Sequence, residues 1–302
     1  MVVPGGILTT GIILALLAAS ALAVQTVCIR YGTVTSRSAD ALLVVLLVNV
    51  VLLLPAAFLF ANPVENLTDR SIVAFGAAGL VGTMAGRASY YEGVKRIGAS
   101  RAEAIKASQP LHGTLIAIAV LGESITAGHF LSMLGIVVGV VLITYEYAHS
   151  NRTTSETGYI ALLFPLIGAF FYGIEPTFAK FGFSEGTPVL SGLAVKTATA
   201  TVAFAAYLAW RSGLPRPSAI KSSEFPWLFA AGLCNTFFLV SYYGALEFTP
   251  VSVVLPLVQS SPLIVIAISA FLVRNDLERV SFRLVLASLV VVAGAAGVAT
   301  LH

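Results

Sequence analysis

Residues 98–111 read GASRAEAIKASQPL, and residues 250–263, which lie 152 positions later, read PVSVVLPLVQSSPL. The shift of 152 aligns several polar or proline landmarks in and around these stretches: Ser100 with Ser252, Ser108 with Ser260, Pro110 with Pro262, and the tyrosine pair 90–91 with the pair 242–243. Apolar segments resemble one another by chance, but polar landmarks at a constant offset are typical of an internal repeat. The stretch therefore predicts a chain built from two similar halves.

A second landmark extends the repeat towards the start of each half. Residues 30–32 (RYG) align with residues 180–182 (KFG) at a shift of 150, so each half has a helix that ends in a cation, an aromatic residue and a glycine. We place the two repeats at residues 1–149 and 157–302, with five helices in each. Because five is odd, the second repeat is expected to enter the membrane from the opposite side, which gives an inverted repeat.

The composition is typical of a chain that lies mostly in lipid. Hydrophobic residues make up 58% of its 302 residues and charged residues 10%, whereas soluble domains carry roughly 25% charged residues. The formal net charge of +3 sits in short loops and at helix ends, without a basic run interleaved with aromatic residues, which excludes nucleic-acid binding. Cys28 and Cys234 fall in apolar stretches, which favours packing roles over a disulfide framework. We expect an all-α integral membrane protein.

The apolar runs predict the individual helices, because a helix spans a bilayer with roughly 20 residues. Ten transmembrane helices are predicted, at residues 7–30, 40–61, 71–95, 99–121, 126–147, 158–180, 187–210, 225–247, 250–273 and 281–300. The connections between them are too short to hold an independent domain. Any function must therefore lie within the helical bundle.

The order of these features resembles a ten-helix transporter of the drug/metabolite transporter superfamily, of the EamA-domain kind. The resemblance rests on RYG and KFG, the tyrosine pair, the Pro110 segment, LGESIT at 121–126, and the glycines of the fifth helix. The matching turn of the second half, VRNDLE at 273–278, departs from the family pattern. The resemblance implies a multi-pass plasma-membrane protein that exports amino acids or other small metabolites, with the substrate held between the halves.

Charged residues inside predicted spans mark the candidate site, because one near mid-bilayer costs about 2.5–3.5 kcal/mol on insertion scales. Arg87, Lys106 and Lys196 lie deepest in the third, fourth and seventh helices, with Glu103 and Glu175 somewhat shallower. Glu103 and Lys106 stand three residues apart on one helix face, where pairing lowers the burial cost of both. A proline follows Glu175 and frees a backbone carbonyl inside its span.

Uncharged side chains complete the candidate substrate site, on a path lined mainly by helices three, four, eight and nine. They are Tyr91, Gln109, Asn235, Tyr242, Gln259 and Ser260. Arg101 is expected at the interface, where it can reach water. His112 is expected to be a hydrogen-bonded core residue, with a proton carrier as the alternative. No cofactor or metal is expected, because the spans hold no His and carboxylate pair at metal-binding spacing.

Alternative functions remain open at this point. A carrier for phosphorylated or nucleotide-linked metabolites is favoured by the excess of cations over acids in the bundle. A lipid carrier or an intramembrane enzyme represents another class, although no Gly-flanked serine nucleophile or phosphate loop is present. A purely structural ion network is the remaining interpretation of the buried charges.

Small residues at GxxxG spacing predict where helices approach closely. Gly82 and Gly86 occur in helix three, Gly135 and Gly139 in helix five, and a related pattern over 293–297 in helix ten. Packing within the chain is the first interpretation of these faces. A homodimer through helices five and ten is the alternative. The other expected partners are a small-molecule substrate and the lipid bilayer.

Lys106 gives the first testable prediction, because we expect it to be the cationic contact for the substrate, with Glu103 as its partner when the cavity is empty. In proteoliposome transport, Lys106→Met should abolish activity in a folded protein, and Lys106→Arg should retain part of it. Glu103→Gln should weaken transport less. Normal transport by Lys106→Met would mean that the pair is structural.

Overall fold

The computed structural model describes residues 5–62, 67–121, 126–150, 156–211, 220–248, 254, 257–272 and 280–300. The regular secondary structure in these ranges is helical, with no strand. The helices are α1 Gly5–Gly32, α2 Ser38–Phe60, α3 Asp69–Ile97, α4a Ala99–Lys106, α4b Gln109–Leu121, α5 Ala127–Ser150, α6 Glu156–Ser184, α7 Val189–Arg211, α8 Phe225–Phe248, α9 Ser261–Leu272 and α10 Phe282–Thr300. Most of the LGESIT turn, the VRNDLE stretch and most of residues 249–256 lie outside the described residues.

Within the described ranges, seven helices are long and apolar enough to cross a membrane: α1, α2, α3, α5, α6, α7 and α8. The described parts of α9 and α10 are shorter apolar helices. The fourth predicted helix does not run continuously over 99–121, because a turn at Ala107 and Ser108 separates α4a from α4b. The fourth predicted helix, 99–121, is therefore divided into two helices.

Pro110 explains the break in the fourth helix. Proline has no backbone N–H and its ring crowds the preceding turn, so the regular helical bond to Lys106 is lost. The backbone instead makes tighter bonds, from Ser108 N to Ile105 O at 3.0 Å and from Leu111 N to Ser108 O at 3.0 Å. The turn lies immediately after the Glu103 and Lys106 pair.

The same turn occurs 152 residues later, in front of Pro262. Ser260 N donates to Leu257 O at 3.2 Å, and Leu263 N donates to Ser260 O at 3.0 Å. The two pairs of bonds join equivalent residues of the two halves. The residues that the sequence aligns around Pro110 and Pro262 therefore also make the same backbone hydrogen bonds.

Local signals set the two ends of α3. Thr68 caps its start, because the Thr68 hydroxyl accepts from Ser71 N at 3.1 Å while the Ser71 hydroxyl accepts from Thr68 N at 3.1 Å. Gly98 ends it with a φ of 93°, a conformation that glycine adopts at little cost. Between these ends, residues Gly79–Gly86 form a π-helical segment, which is a feature frequently found at functional sites.

The packing of the helices follows one pattern in both halves. The main contacts come in pairs, one for each half. The contact of α1 with α8 corresponds to that of α6 with α3, and the contact of α2 with α8 corresponds to that of α7 with α3. The contact of α1 with α9 corresponds to that of α6 with α4a and α4b. Further contacts join α2 to α7, α4a to α9, and α5 to α10. If every helix is exchanged for the one five places away, each of these contacts maps onto another contact of the same set. The contacts of α4a and α4b with α10, and of α1 with α3, have no such counterpart among the main contacts of the described residues.

The outside of the bundle is apolar and part of its interior is polar. Phe271, Trp210 and Phe60 are 88%, 83% and 79% exposed, whereas Lys196 is 2% exposed and Glu103 is fully buried. Soluble proteins seldom bury ionisable residues or expose large apolar ones in such number. The chain is therefore built for a lipid surrounding, and its polar residues face one another inside.

The glycines of α5 pack against α10 within the same chain. Gly135 faces Gly294 of α10, and Gly139 lies against Val291 and Ala287. The small-residue faces of the two helices thus contact each other, as the first interpretation of their spacing expects. A homodimer through α5 and α10 stays a prediction, and it would have to use the outward faces of these helices.

Gly139 and Gly135 provide a matched test of this packing. A Cβ at Gly139 would lie 2.9 Å from Val291 N and 3.1 Å from Ala287 O, which are backbone atoms that cannot move aside easily. Gly139→Ala should therefore destabilise the protein by about 1–3 kcal/mol. The nearest atom at Gly135 is 3.7 Å away, so Gly135→Ala should leave thermal stability in detergent unchanged or slightly higher. Equal melting temperatures for the two variants would contradict this packing.

Candidate functional site: a buried polar network

Glu103 is the centre of the first polar cluster. One carboxylate oxygen accepts from the Tyr90 hydroxyl and from the Thr26 hydroxyl at 3.1 Å. The other accepts from the Lys106 ammonium and from the Ser261 hydroxyl at 2.6 Å. These donors come from α1, α3, α4a and α9, and all five side chains are buried. The single hydroxyl hydrogen of Thr26 can also go to Leu22 O at 2.9 Å, so at least three of these donors serve the carboxylate. Its burial without water is therefore compatible with a stable fold.

Glu175 and Lys196 form the second cluster, between α6 and α7. The Lys196 ammonium contacts the Glu175 carboxylate, and the Tyr243 hydroxyl of α8 lies 3.2 Å from both. The π-helical segment of α3 makes room for them, because a Cβ at Gly82 would collide with the Glu175 carboxylate. A side chain at this position of α3 would therefore displace the ion pair.

The two clusters have the same chemistry although they use different positions of the repeat. Each joins a lysine and a glutamate to a tyrosine hydroxyl. The Lys106 ammonium lies 5.1 Å from the centre of the Tyr90 ring, and the Lys196 ammonium lies 5.3 Å from that of Tyr243. Both distances allow a cation–π interaction, which helps to hold a cation away from water.

Arg87 lies in a third cluster formed by α1, α2, α3 and α8. It donates to Asn235 Oδ1 at 2.7 Å, and Asn49 donates to the same oxygen at 2.7 Å. Asn235 in turn donates to Gln25 Oε1 at 2.8 Å, and Gln25 donates to the Tyr91 hydroxyl at 2.8 Å. Arg87 also interacts with Tyr172 and, electrostatically, with Glu175. This cluster therefore lies beside the second one.

Tyr172 links the clusters to α4b. The ring of Tyr172 lies 6.3 Å from that of Tyr90, and its backbone carbonyl accepts from Gln109 Nε2 at 3.0 Å. This carbonyl has no helical donor, because Pro176, four residues on, has no N–H. Pro176 thus leaves the Tyr172 carbonyl free, as the sequence predicts, and this carbonyl is an acceptor for Gln109 in the polar interior. We call the three clusters and Tyr172 together the polar network.

The structure brings most of the predicted site residues into this network. Those that lie in it or contact it are Arg87, Tyr91, Glu103, Lys106, Gln109, Glu175, Lys196 and Asn235. Tyr242 packs beside the second cluster, with its ring 5.1 Å from that of Tyr243. Gln259 is buried in the turn before α9. The paired contact of Glu103 with Lys106 follows their spacing of three residues.

Three residues have surroundings that the sequence did not predict. Ser260 hydrogen-bonds the carbonyl of its own turn at Leu257, and its neighbour Ser261 contacts Glu103 instead. Arg101 does not reach water: it is 7% exposed and makes a two-point ion pair with Glu146, at 2.8 and 2.9 Å. The ring atom Nε2 of His112 is buried without a hydrogen-bond partner, so a hydrogen-bonded core role stays a prediction for this ring.

Sequence reasoning missed several members of the network. They are Gln25, Thr26, Asn49, Tyr90, Tyr172, Tyr243 and Ser261. Gln25 and Asn49 could have been found, because each is an isolated amide in a span that is otherwise apolar. The tyrosines and Ser261 carry no comparable signal, since such residues occur in transmembrane helices at many positions without a polar contact.

One end of the bundle is held together by Glu224, just before α8. Its carboxylate accepts from Thr35 N at 2.7 Å and from Ser36 N at 3.0 Å, and from the hydroxyls of both residues. Burial acts to raise the pKa of Glu224, but these hydrogen bonds outweigh it and hold the pKa below its ordinary value. Lys95 of α3 donates to Ser36 O at 2.8 Å, so α1, α3 and α8 meet here.

The network contains donors and acceptors for a polar solute but no recognisable reaction centre. Among the described residues, no three His, Cys, Asp or Glu side chains are close enough to hold a metal ion. A groove of about 340 Å³ between α1 and α8 is lined by apolar residues, including Leu17, Val24 and Phe237, and lies outside the network. The arrangement suits reversible hydrogen bonding and ion pairing with a small polar molecule.

Comparisons with known proteins identify a family and a similar fold. The family model of the EamA-like transporter family matches the chain twice, over residues 9–145 and 159–300. A solved crystal structure is similar to this one with a TM-score of 0.60 and 18% sequence identity, over 98% of this chain and 96% of that chain. That likeness concerns the fold alone. No curated protein gives a significant sequence match.

Proposed function

Because the chain belongs to the EamA-like transporter family and is a multi-pass membrane transporter, we propose that it exports small polar metabolites, such as amino acids, across the plasma membrane. The observation that carries this proposal is the burial of five charged side chains in the polar network, namely Arg87, Glu103, Lys106, Glu175 and Lys196. Well-packed hydrophobic residues often serve a core as well as a buried ion pair does. A substrate that needs polar partners explains why the charges are there.

Contacts from both repeats support a binding site between the halves. Glu103 and Lys106 of the first repeat meet Ser261 of the second, and Arg87 of the first meets Asn235 of the second. Residues at the boundary between two structural repeats are where transporters hold their substrates. The network therefore lies where a solute could be exposed to either side by movement of one repeat against the other.

Alternating access between two inverted five-helix repeats, 1–149 and 157–302, is the mechanism we propose. It is supported by helix contacts that map onto themselves when the halves are exchanged, and by the turn that recurs before Pro110 and Pro262. Opening the end near Glu224 would require its bonds to Thr35 and Ser36 to break. The opposite end would then close around the same central network.

The network can accept a solute by exchanging hydrogen bonds. In the structure the carboxylates and ammonium groups satisfy one another, so the empty protein leaves few unpaired charges in a medium without water. A polar solute would replace these internal partners one at a time. Binding and release then need only small free-energy differences, as a transporter requires.

A transport measurement tests the proposal. Proteoliposomes are loaded with the twenty amino acids, and their release is followed by mass spectrometry against protein-free liposomes. At least one amino acid should leave faster when the protein is present. Tyr243→Phe removes the hydroxyl shared by Lys196 and Glu175 with little change in volume, and it should slow release several-fold, since one hydrogen bond contributes roughly 0.5–1.5 kcal/mol.

Tyr207→Phe is the matched control, because Tyr207 is 44% exposed on the outside of α7. Its release rate should equal that of the unaltered protein, and both variants should keep the same melting temperature to within a few degrees. Release that Tyr243→Phe does not slow would place the site elsewhere. Absence of release of any amino acid would contradict the transport function proposed for this solute class.

A further inference from the structure

We infer, taking the transport function proposed above as given, that Arg87 selects the solute by charge and that the preferred solutes carry a net charge of −1, with a carboxylate bound at Arg87. Acidic amino acids and small monocarboxylates belong to this class. The charges buried in the bundle lead to this conclusion.

Arg87 differs from the other buried cations. Among the described residues, four cations are buried: Arg87, Arg101, Lys106 and Lys196. Three of them make an ion pair with a carboxylate: Arg101 with Glu146, Lys106 with Glu103, and Lys196 with Glu175. Arg87 makes none with any described residue, and its hydrogen bonds go to the neutral side chains of Asn235 and Tyr172. Asp40 and Glu224 are also buried but lie outside the polar network, Asp40 against Arg37 and Glu224 against Thr35 and Ser36. Within the network, three cations, Arg87, Lys106 and Lys196, face two carboxylates, Glu103 and Glu175, so its described residues carry one positive charge in excess.

This excess charge at Arg87 has no counter-charge among the carboxylates that the structure describes. A buried lysine can give up its proton when the charged form is unfavourable, but an arginine keeps its charge in proteins. Glu175 is close enough to attract Arg87, yet its carboxylate is already in contact with Lys196. An anion of charge −1 bound at Arg87 would bring the polar network to neutrality.

The size of the imbalance limits the solute to a single negative charge. One carboxylate supplies it, and the planar guanidinium matches a carboxylate with two parallel hydrogen bonds. A phosphate monoester carries about −1.5 to −2 at pH 7 and would leave the site negative instead of positive. The same reasoning disfavours phosphorylated and nucleotide-linked solutes. It also moves the role of anion contact from Lys106, which Glu103 neutralises, to Arg87.

Thr83 provides an independent sign of a missing partner near Arg87. Its side chain is fully buried, and its hydroxyl oxygen has no hydrogen-bond partner. It lies four residues, about one helical turn, before Arg87 on α3, within the π-helical segment. Buried hydroxyls are rarely left unpaired. A carboxylate at Arg87 could accept from Thr83 as well.

Release of matched solutes tests the inference. Proteoliposomes are loaded with equal amounts of glutamate, glutamine, lactate and glycerol phosphate. Glutamate and glutamine are alike in shape but carry net charges of −1 and 0. The unaltered protein should release glutamate at least about tenfold faster than glutamine, because an uncompensated buried charge is costly, and it should retain glycerol phosphate.

Variants at Arg87 should change the preference and not only the rate. Arg87→Gln removes the unmatched charge and should release glutamine faster than glutamate, whereas Arg87→Lys should still prefer glutamate. Arg96→Gln is the control on the same helix, since Arg96 is 43% exposed and pairs with Glu92. It should behave as the unaltered protein. Should Arg87→Gln fail to fold, the preference of the unaltered protein still decides the matter.

The outcomes separate this inference from the proposed function. Release of amino acids without a preference for glutamate over glutamine, or fastest release of glycerol phosphate, overturns the inference and leaves transport standing. If nothing is released, the melting temperature in detergent decides. Stabilisation by glutamate that Arg87→Gln abolishes would keep the anion site and reject the transport of these solutes. No release and no stabilisation would reject both.

Discussion

The cost of placing charge where there is no water governs the interior of this bundle. Each buried lysine lies against a glutamate, and each of those glutamates also accepts from tyrosine hydroxyls. Removing one partner leaves the other stranded, at a cost of about 3–5 kcal/mol by analogy with other buried pairs. The clusters therefore fix the relative positions of α1, α3, α4a, α6, α7, α8 and α9. Of the network's three cations, Arg87 is the one that pairs with no carboxylate among the residues that the structure describes.

Glycine and proline make the geometry of these clusters available. Gly82 leaves space for the Glu175 carboxylate beside α3, and Gly139 lets α5 and α10 approach closely. Pro176 frees the Tyr172 carbonyl that Gln109 uses. Pro110 and Pro262 end the regular helix beside the Glu103 cluster in both halves. Local backbone chemistry and the placement of charge thus act together in building the bundle.

The sequence predicts the helical class, the repeat and the charged residues well, and for physical reasons. Apolar runs of membrane length have few folds open to them, and Glu103 and Lys106 are neighbours on any helix. Prediction fails where contact depends on how helices pack. Nothing local indicates that Glu146 covers Arg101, or that Ser261, and not Ser260, reaches Glu103. The break after Lys106 was signalled by Pro110, but a proline can also only bend a helix.

The central claim is that the polar network meets water from each side of the membrane in turn, as a substrate site must. Ser261→Cys places a thiol of similar size beside Glu103, in a background with Cys28 and Cys234 replaced by serine. A membrane-impermeant thiol reagent should label this cysteine when applied to either side of the membrane, and a transported solute should slow both reactions. Failure to label from both sides, in a protein that is folded and inserted, would show that the network is a structural core.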